Sequence, residues 1–508
     1  MAKICVPVCV RRPDEMRDAI ASAARVADIV ELRGDCLADP QAMAAFLNES
    51  GREIARPLIV TMRSSDEGGR AEIDYEARRR FWSSLDHSNA AYLIDIELDM
   101  VRAFATGESS AKLPSDWSRV ICSHHDFTRV PDDLEKRFER MAATPAGIIK
   151  IAVQADDVID CLPIFNLLER AQAEGREIIA IGMGNAGVMT RILGPARGSF
   201  LTYASLDEEG GTAPGQLTAK ELREIYRIDQ IDRDTQMLGI MGQPVSHSLS
   251  PRIHNAAFAA SDINAVYIPF EVRDALQFIR RMAHPKTREL DWKLSGLSVT
   301  APHKSTVMQD LDWIDMTSKE IGAVNTIVVQ DDQLRGYNTD AAGFITPVRN
   351  VFGSLKSARC AIIGAGGAAR ACSWALREQG ADVTILAREI SKAKSLADRF
   401  GLKCRDLSGV AYGDFDVVVN ATPLGMRGQL ENATPATAEQ LYGVRLAYDL
   451  VYNPIETRFI REARAAGCDV LSGIEMLLAQ AVEQFGLWTG RAPDIEVMRR
   501  AALGGMSP

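Results

Sequence analysis

The sequence predicts an α/β protein of three domains: a (β/α)8 barrel, a compact α/β unit, and a doubly wound dinucleotide-binding sheet. Three observations carry that reading. Eight strand-like runs alternate with helical stretches before residue 206, the pattern changes near Asp234, and a glycine-rich strand-to-helix turn follows at Gly364. A chain of 508 residues accommodates about three domains at ~100–200 residues each, and 46% hydrophobic content is ample for their cores.

The eight runs are ICVPVCV, DIVELRGD, PLIVTMR, AYLIDIEL, RVICSHHDF, GIIKIAV, EIIAIGMG and GSFLTYAS. Between them lie stretches with helical spacing, such as DEMRDAIASAARVA and DLEKRFERMAAT. Eight βα units in about the ~250 residues typical of the fold describe a TIM barrel, in which chemistry sits at the C-terminal strand ends. Glu31, Arg33, Arg63, His125 and Lys150 all fall at such ends.

Lys150 interrupts GIIKIAV, a run otherwise suited to burial on both faces. A strand-end lysine ordinarily snorkels its ammonium to water. In a barrel mouth beside Arg33, Arg63 and Arg191, desolvation and like charges would instead move its pKa from ~10.4 toward ~7–8, leaving a neutral amine that attacks carbonyls. His125 supplies a titratable group on the adjacent strand for moving protons. His124 should point to the other side of that strand, because strand side chains alternate.

A new strand, GIMGQPV, begins after TAKELREIYRIDQIDRD, which reads as a short structured connection. AVYIPFEV and LSGLSVT continue the unit, and TIVVQ and QLRGYN flank an Asp331-Asp332 turn as a hairpin. CAIIGAGGAARACSWALREQGADVTILAR then gives the βαβ context of a dinucleotide fingerprint, with Gly364, Gly366 and Gly367 letting backbone N–H groups approach a pyrophosphate. FDVVVNATP and LAYDLVYNP extend the sheet. At the end of the second strand, where an acid would bind the ribose of NAD, stands Arg388, which suits the 2′-phosphate of NADP. Lys392 is a possible helper, and Glu389 a possible counterweight.

The net charge of −10 argues against a nucleic-acid partner while allowing local basic pockets for a small anion. No apolar run approaches the roughly 20 residues of a membrane helix, and the N-terminus has no signal-peptide layout, so a soluble cytoplasmic protein is expected. Nine cysteines without a CxxC pair fit buried thiols better than disulfides or zinc, and no metal is expected.

VELRGD, TMRSSDEGG, SHHDF, KIAV, MGNAGVMTR and TAPGQ together resemble type I 3-dehydroquinate dehydratase over roughly residues 3–225. The resemblance implies that Lys150 forms an imine with the ketone of 3-dehydroquinate. It further implies that His125 moves the neighbouring proton, Glu67 orients His125, and Arg191 clamps the substrate carboxylate. Glu31, Arg33 and Arg63 would bind ring hydroxyls, and Gln216 would close the pocket with Thr212, which stands where a serine is usual.

MGQPVSHSLSP, LSVTAPHK, GAVNT, GYNTD, GAGGAAR, NATPLGM and GIEMLLAQA resemble shikimate dehydrogenase over roughly residues 237–503. Lys304 and Asp340 would form the proton-donating pair beside the carbonyl, and His303 would be packing. Ser248 and Ser250 would bind the carboxylate, while Thr300, Asn325 and Gln480 would hold ring hydroxyls and Tyr452 would line the pocket. Gly364, Ala365, Gly366, Gly367, Ala368, Arg388, Asn420, Thr422 and Gly473 would meet NADP(H). Ala387-Arg388-Glu389 departs from the family's NRT.

These resemblances divide the chain into a dehydratase barrel over 1–230, a substrate-binding domain over 237–340 and a Rossmann domain over 341–508 whose last helices return to the substrate domain. The implied activity is bifunctional, since the product of the first reaction, 3-dehydroshikimate, is the substrate of the second. The substrates are then the small molecules 3-dehydroquinate, 3-dehydroshikimate and shikimate. A catabolic quinate or shikimate dehydrogenase using NAD and a non-catalytic ligand-sensing regulator remain alternatives, and the oligomeric state is open.

Overall fold

A computed structural model describes residues 2–50, 56–85, 92–106, 116–207 and 211–506. The first sheet has eight parallel strands: β1 (Ile4–Val8), β2 (Ile29–Arg33), β3 (Leu58–Thr61), β4 (Tyr92–Glu97), β5 (Val120–Asp126), β6 (Ile148–Gln154), β7 (Glu177–Met183) and β8 (Thr202–Tyr203). They pair in sequence order, and β8 returns to β1 with Cys5 opposite Tyr203. Phe200 N donates to Ile178 O at 2.7 Å, which closes the circle between β7 and the approach to β8. The sequence run GSFLTYAS thus contributes only two residues of regular strand.

Alternation sorts the strand side chains. Cys5, Ile29, Ile59, Ile121, Ile148, Ile179 and Leu201 fill the barrel interior, and Lys150 shares the inward parity of Ile148 and Ala152 on β6. The outward set, including Val6, Val30, Val60 and Ile149, packs under the helices.

The second sheet comprises β9 (Gln236–Gly242), β10 (Ala265–Glu271), β11 (Leu294–Val299), β12 (Trp313–Ile314), β13 (Thr326–Gln330) and β14 (Gln333–Tyr337), in the order β10-β9-β11-β13-β14-β12. The hairpin β13–β14 turns through Asp331 and Asp332, both at positive φ. The short β12 pairs with β14 and has no apolar run to announce it. The third sheet is all parallel: β15 (Arg359–Ile363), β16 (Asp382–Ala387), β17 (Lys403–Asp406), β18 (Val417–Asn420), β19 (Leu446–Asp449) and β20 (Asp469–Leu471). Its order, β17-β16-β15-β18-β19-β20, is the 3-2-1-4-5-6 arrangement of dinucleotide-binding sheets.

The helix Gly473–Thr489 leaves the third sheet and lays Ile474, Leu478, Ala481 and Phe485 against Leu238 and Ile240 of β9. Barrel and second sheet are also joined. Asp157, beyond β6, accepts from the backbone N–H groups of Arg273 and Asp274 at 2.9 and 3.2 Å, and Arg197 donates to Asp291 O at 2.6 Å.

One expectation fails here. Cys9 and Cys36 form a disulfide rather than standing as free thiols. The parallel pairing of β1 with β2 brings the segments beyond both strand ends together, with Cα atoms 5.3 Å apart. The other seven cysteines are free, and all but Cys404 are buried. Among the described residues, no helix is long and apolar enough to cross a membrane.

Candidate active sites

The barrel mouth gathers all nine dehydratase residues expected from the sequence: Glu31, Arg33, Arg63, Glu67, His125, Lys150, Arg191, Thr212 and Gln216. Lys150 Nζ lies 2.7 Å from Asp95 Oδ2, 3.5 Å from Glu31 Oε1 and 2.8 Å from the Tyr203 hydroxyl. The expected crowding by like charges is therefore not what surrounds it. Arg33 closes on Asp35 through two bonds of 2.8 and 2.7 Å, and Arg63 shares Asp95 with Lys150 at 2.7 Å. Carboxylates touch the amine because β2 and β4 aim Glu31 and Asp95 inward at its level. Burial raises the Asp95 carboxyl, but the charges of Arg63 and Lys150 outweigh it and hold the group far below the usual range.

His125 Nδ1 sits 3.1 Å from Glu67 Oε2, which also accepts from the His125 backbone N–H at 3.0 Å. Burial and the neighbouring Arg63 charge push the His125 imidazole down to about 4, against the opposing pull of Glu67. The ring is thus a neutral base at physiological pH. Glu67 itself, raised by burial but lowered more by its bonds to the two histidines, is held at about 2. His124 lies outside the pocket, where Glu67 Oε1 is 3.3 Å from Nδ1 and Arg137 is 2.9 Å from Nε2. One carboxylate therefore orients both rings.

Arg191 is 1% exposed, yet among the described residues its guanidinium reaches only the carbonyls of Tyr203 and Pro214, both at 3.4 Å, and its Nε has no partner. Burial alone lowers it to about 10. A buried cation that faces a pocket and is bonded to no carboxylate of its own is a receptor for an anion. Thr212 N donates to Gln216 Oε1 at 2.8 Å, and Gln216 Nε2 returns to Thr212 Oγ1 at 3.3 Å, which folds the loop over the mouth.

A second cleft of about 340 Å³ lies between the second and third sheets and is lined by Ser248, Ser250, Thr300, Lys304, Asn325, Asp340, Ala368, Tyr452, Gly473 and Gln480. Lys304 Nζ meets Asp340 Oδ2 at 2.5 Å, and Asn325 Nδ2 donates to Asp340 Oδ1 at 2.8 Å. Asp340 starts the helix Asp340–Phe352, while Lys304 lies beyond β11. Neighbouring His303 is buried, and its Nε2 lies 2.7 Å from Val272 O.

Beside this cleft, Gly364 follows β15 with φ +115°, and a Cβ there would lie 2.8 Å from Ala421 O. Among the described residues, nothing lies within 4 Å of where Cβ atoms of Gly366 and Gly367 would stand, so the N-terminus of the helix Gly367–Glu378 is an open cradle for a phosphate group. Ala365 lies within that turn. Arg388 is exposed just past β16, while Glu389 turns away to Lys392 at 2.7 Å. Asn420 is fully buried, and its side chain bonds Leu424 O, Asp449 and Thr422, which shapes the loop after β18. Thr422 is anchored by that contact. The donors and the open glycine cradle fit a dinucleotide.

Sequence reasoning missed Asp95 and Tyr203 beside Lys150, and Ser298 and Gln484 in the second cleft, which bond each other at 3.0 Å. Asp95 left a signal: a carboxylate inside the apolar run YLIDIEL is as anomalous as the lysine inside GIIKIAV.

A barrel mouth that pairs an amine with a neutral base serves elimination next to a carbonyl, and a proton donor beside a dinucleotide cradle serves hydride transfer. The fold and the two sites together define a lyase fused to a dehydrogenase. Residues 4–233 match the family described as type I 3-dehydroquinase, 240–327 the shikimate dehydrogenase substrate binding domain, 347–439 shikimate/quinate 5-dehydrogenase, and 473–503 the shikimate 5′-dehydrogenase C-terminal domain. The chloroplastic bifunctional 3-dehydroquinate dehydratase/shikimate dehydrogenase of Arabidopsis thaliana is 35% identical over 96% of this chain and 82% of its own. Shikimate dehydrogenase (NADP(+)) of Methanothermobacter thermautotrophicus is 40% identical over 53% of this chain and 95% of its own. A crystal structure of a shikimate dehydrogenase in complex with NADP+ superposes with a TM-score of 0.51 at 35% identity, covering 55% of this chain and 98% of that one. The chain belongs to the bifunctional 3-dehydroquinate dehydratase/shikimate dehydrogenase family.

Proposed function

We propose that this enzyme dehydrates 3-dehydroquinate in the barrel through an imine on Lys150 and reduces the resulting 3-dehydroshikimate to shikimate in the second cleft, with NADP(H) as cofactor. The observation that carries the first half is the convergence of Lys150 Nζ, a neutral His125 oriented by Glu67, and an anion-seeking Arg191 on one pocket. Arg191 anchors the substrate carboxylate, while Glu31, Arg33 and Arg63 face the ring hydroxyls. His125 takes the proton from the carbon beside the imine, whose nitrogen accepts the electron pair. The same imidazolium then protonates the departing hydroxyl, and water hydrolyses the imine to free Lys150.

In the second cleft Ser248 and Ser250 hold the carboxylate, and Thr300, Asn325, Gln480 and Tyr452 hold the ring. Lys304 gives a proton to the carbonyl oxygen during reduction, and Asp340 fixes the ammonium. The dinucleotide supplies the hydride when bound. Gly364 through Ala368, Thr422 and Gly473 form its bed, with Arg388 on the 2′-phosphate. Chain segments 1–230, 237–340 and 341–508 correspond to the dehydratase, substrate-binding and cofactor-binding units. The partners are small molecules, not nucleic acid or membrane, and the compartment is the cytoplasm, in keeping with seven free cysteines of nine.

Borohydride added during turnover of 3-dehydroquinate leaves a reduced adduct on Lys150, readable by peptide mass. A native mass at Lys150 overturns the imine.

A further inference from the structure

Forming an imine on Lys150 requires protons to move. A lysine ammonium carries three protons and a protonated imine nitrogen carries one, so two protons must leave Nζ while the ketone oxygen gains two and departs as water. Charge is conserved over the whole step. His125, held by Glu67, is engaged at the carbon beside the imine, and Asp95 is a poor acceptor because Arg63 and Lys150 hold it far down despite its burial.

Glu31 Oε1 stands 3.5 Å from the amine, and the Tyr203 hydroxyl comes closer. That hydroxyl is 2.8 Å from Lys150 Nζ and 3.4 Å from Glu31 Oε1, and the Tyr203 ring lies under the ammonium with 4.3 Å to the centroid. Glu31 and Tyr203 both line the pocket, so the path from Nζ through the phenol to the carboxylate opens toward the substrate. Burial and the nearby Glu31 carboxylate keep the phenol well above its ordinary pKa, so it stays a neutral O–H that accepts one proton as it gives another. Pairing of β8 with β1, Tyr203 opposite Cys5, fixes the ring in place.

We infer that Tyr203 is a catalytic residue of the dehydratase, relaying protons between Lys150 Nζ and Glu31 Oε1 as the imine forms and is hydrolysed. The inference rests on Lys150 being the imine-forming lysine. As one proton leaves the ammonium, the Nζ lone pair so freed bonds the ketone carbon and the C=O π pair moves to oxygen. That proton passes to Tyr203 while the phenol proton moves to Glu31, and Glu31 returns it to that oxygen. In the second step the C–O pair leaves with oxygen, the nitrogen lone pair forms C=N, and the same path delivers the second proton to make water. Hydrolysis runs the sequence backward.

Tyr203→Phe removes the hydroxyl and keeps the ring beneath the amine. Rapid mixing of enzyme and 3-dehydroquinate, quenched with borohydride, measures the rate of adduct formation at Lys150. Substrate deuterated at the carbon that His125 deprotonates measures how far proton abstraction limits turnover. The expected result is an adduct that forms at least tenfold more slowly, reaches the wild-type extent at long times, and is accompanied by a suppressed deuterium effect, because imine formation has become limiting. Reduction of added 3-dehydroshikimate is unchanged. Combining Tyr203→Phe with Glu31→Gln slows imine formation no more than Glu31→Gln alone, as two members of one path require. Adduct formation at the wild-type rate with an undiminished deuterium effect overturns the relay while leaving the imine standing. Absence of any adduct in the wild-type enzyme overturns both.

Discussion

Arg191→Met separates the demands of substrate binding from those of folding. The guanidinium is buried with two carbonyls as its partners and, among the described residues, none for its Nε, and burial lowers it from the ordinary arginine value to about 10. Held charged at neutral pH, it carries a penalty of about 3 kcal/mol at ~1.4 kcal/mol per pH unit. The sign follows from proton binding. Between about 10 and the ordinary arginine value the unfolded chain binds the proton that the native state has lost, so this destabilisation is complete below 10 and fades as pH rises above it. Methionine fills the stem without the charge. The ligand-free variant is therefore expected to melt no lower than wild type and up to several degrees higher, at ~2–4 °C per kcal/mol for a domain of this size. Catalysis moves the other way. Loss of two charge-assisted bonds to a carboxylate, about 1.5–3 kcal/mol each, lowers kcat/KM for dehydration by at least about a hundredfold. Scanning calorimetry with and without 3-dehydroshikimate, alongside the dehydration assay, reads both effects. A melting temperature lower by more than about 3 °C, or a kcat/KM loss below about tenfold, would refute the assignment of Arg191 as an anion receptor waiting for its ligand.

Other expected outcomes follow from the same geometry. With His125 lowered to about 4, the acid limb of dehydration kcat/KM falls near pH 4 rather than 6.5; at pH 5 the ring is about 90% neutral instead of about 3%, and a pH–rate profile from 3.5 to 8 checks it. Glu67→Gln, which removes the carboxylate bonded to both histidine rings, lowers kcat for dehydration by about ten- to a hundredfold with little change in KM, since Glu67 acts through His125; steady-state kinetics decides. Arg388→Ala weakens NADPH by about ten- to a hundredfold and NADH little, because one charge-assisted contact to phosphate contributes ~1.5–3 kcal/mol; equal losses for both would exclude phosphate reading by this side chain.

The barrel and the dinucleotide sheet were legible because both repeat a local signal: apolar runs of strand length, spaced by helices, and a glycine turn in βαβ context. Lys150 and His125 stood out as polar residues in such runs. What surrounds them was not legible, since contacts across a barrel depend on which inward layer each strand contributes. Asp95 and Tyr203 come from β4 and β8, at 55 and 53 residues from Lys150. Crowding of Lys150 by Arg33, Arg63 and Arg191 leaves out their counter-ions, Asp95 and the Asp35 that closes on Arg33. The Cys9–Cys36 bond was hidden for a similar reason: 27 residues separate the pair, and only the β1–β2 pairing joins them. The bond from the Asn420 amide to Asp449 on the adjacent β19 was equally hidden, since 29 residues separate the two.

The central claim is that one chain performs two successive reactions at two separate sites, and a paired assay of single variants tests it most directly. Wild-type enzyme given 3-dehydroquinate and NADPH should yield one shikimate per NADPH oxidised. Lys150→Ala should yield none from 3-dehydroquinate but reduce added 3-dehydroshikimate at close to the wild-type rate, whereas Lys304→Ala should accumulate 3-dehydroshikimate and leave NADPH unoxidised. A loss of tenfold or more in the untouched half-reaction of either variant, or full activity of either in its own half, would contradict the account.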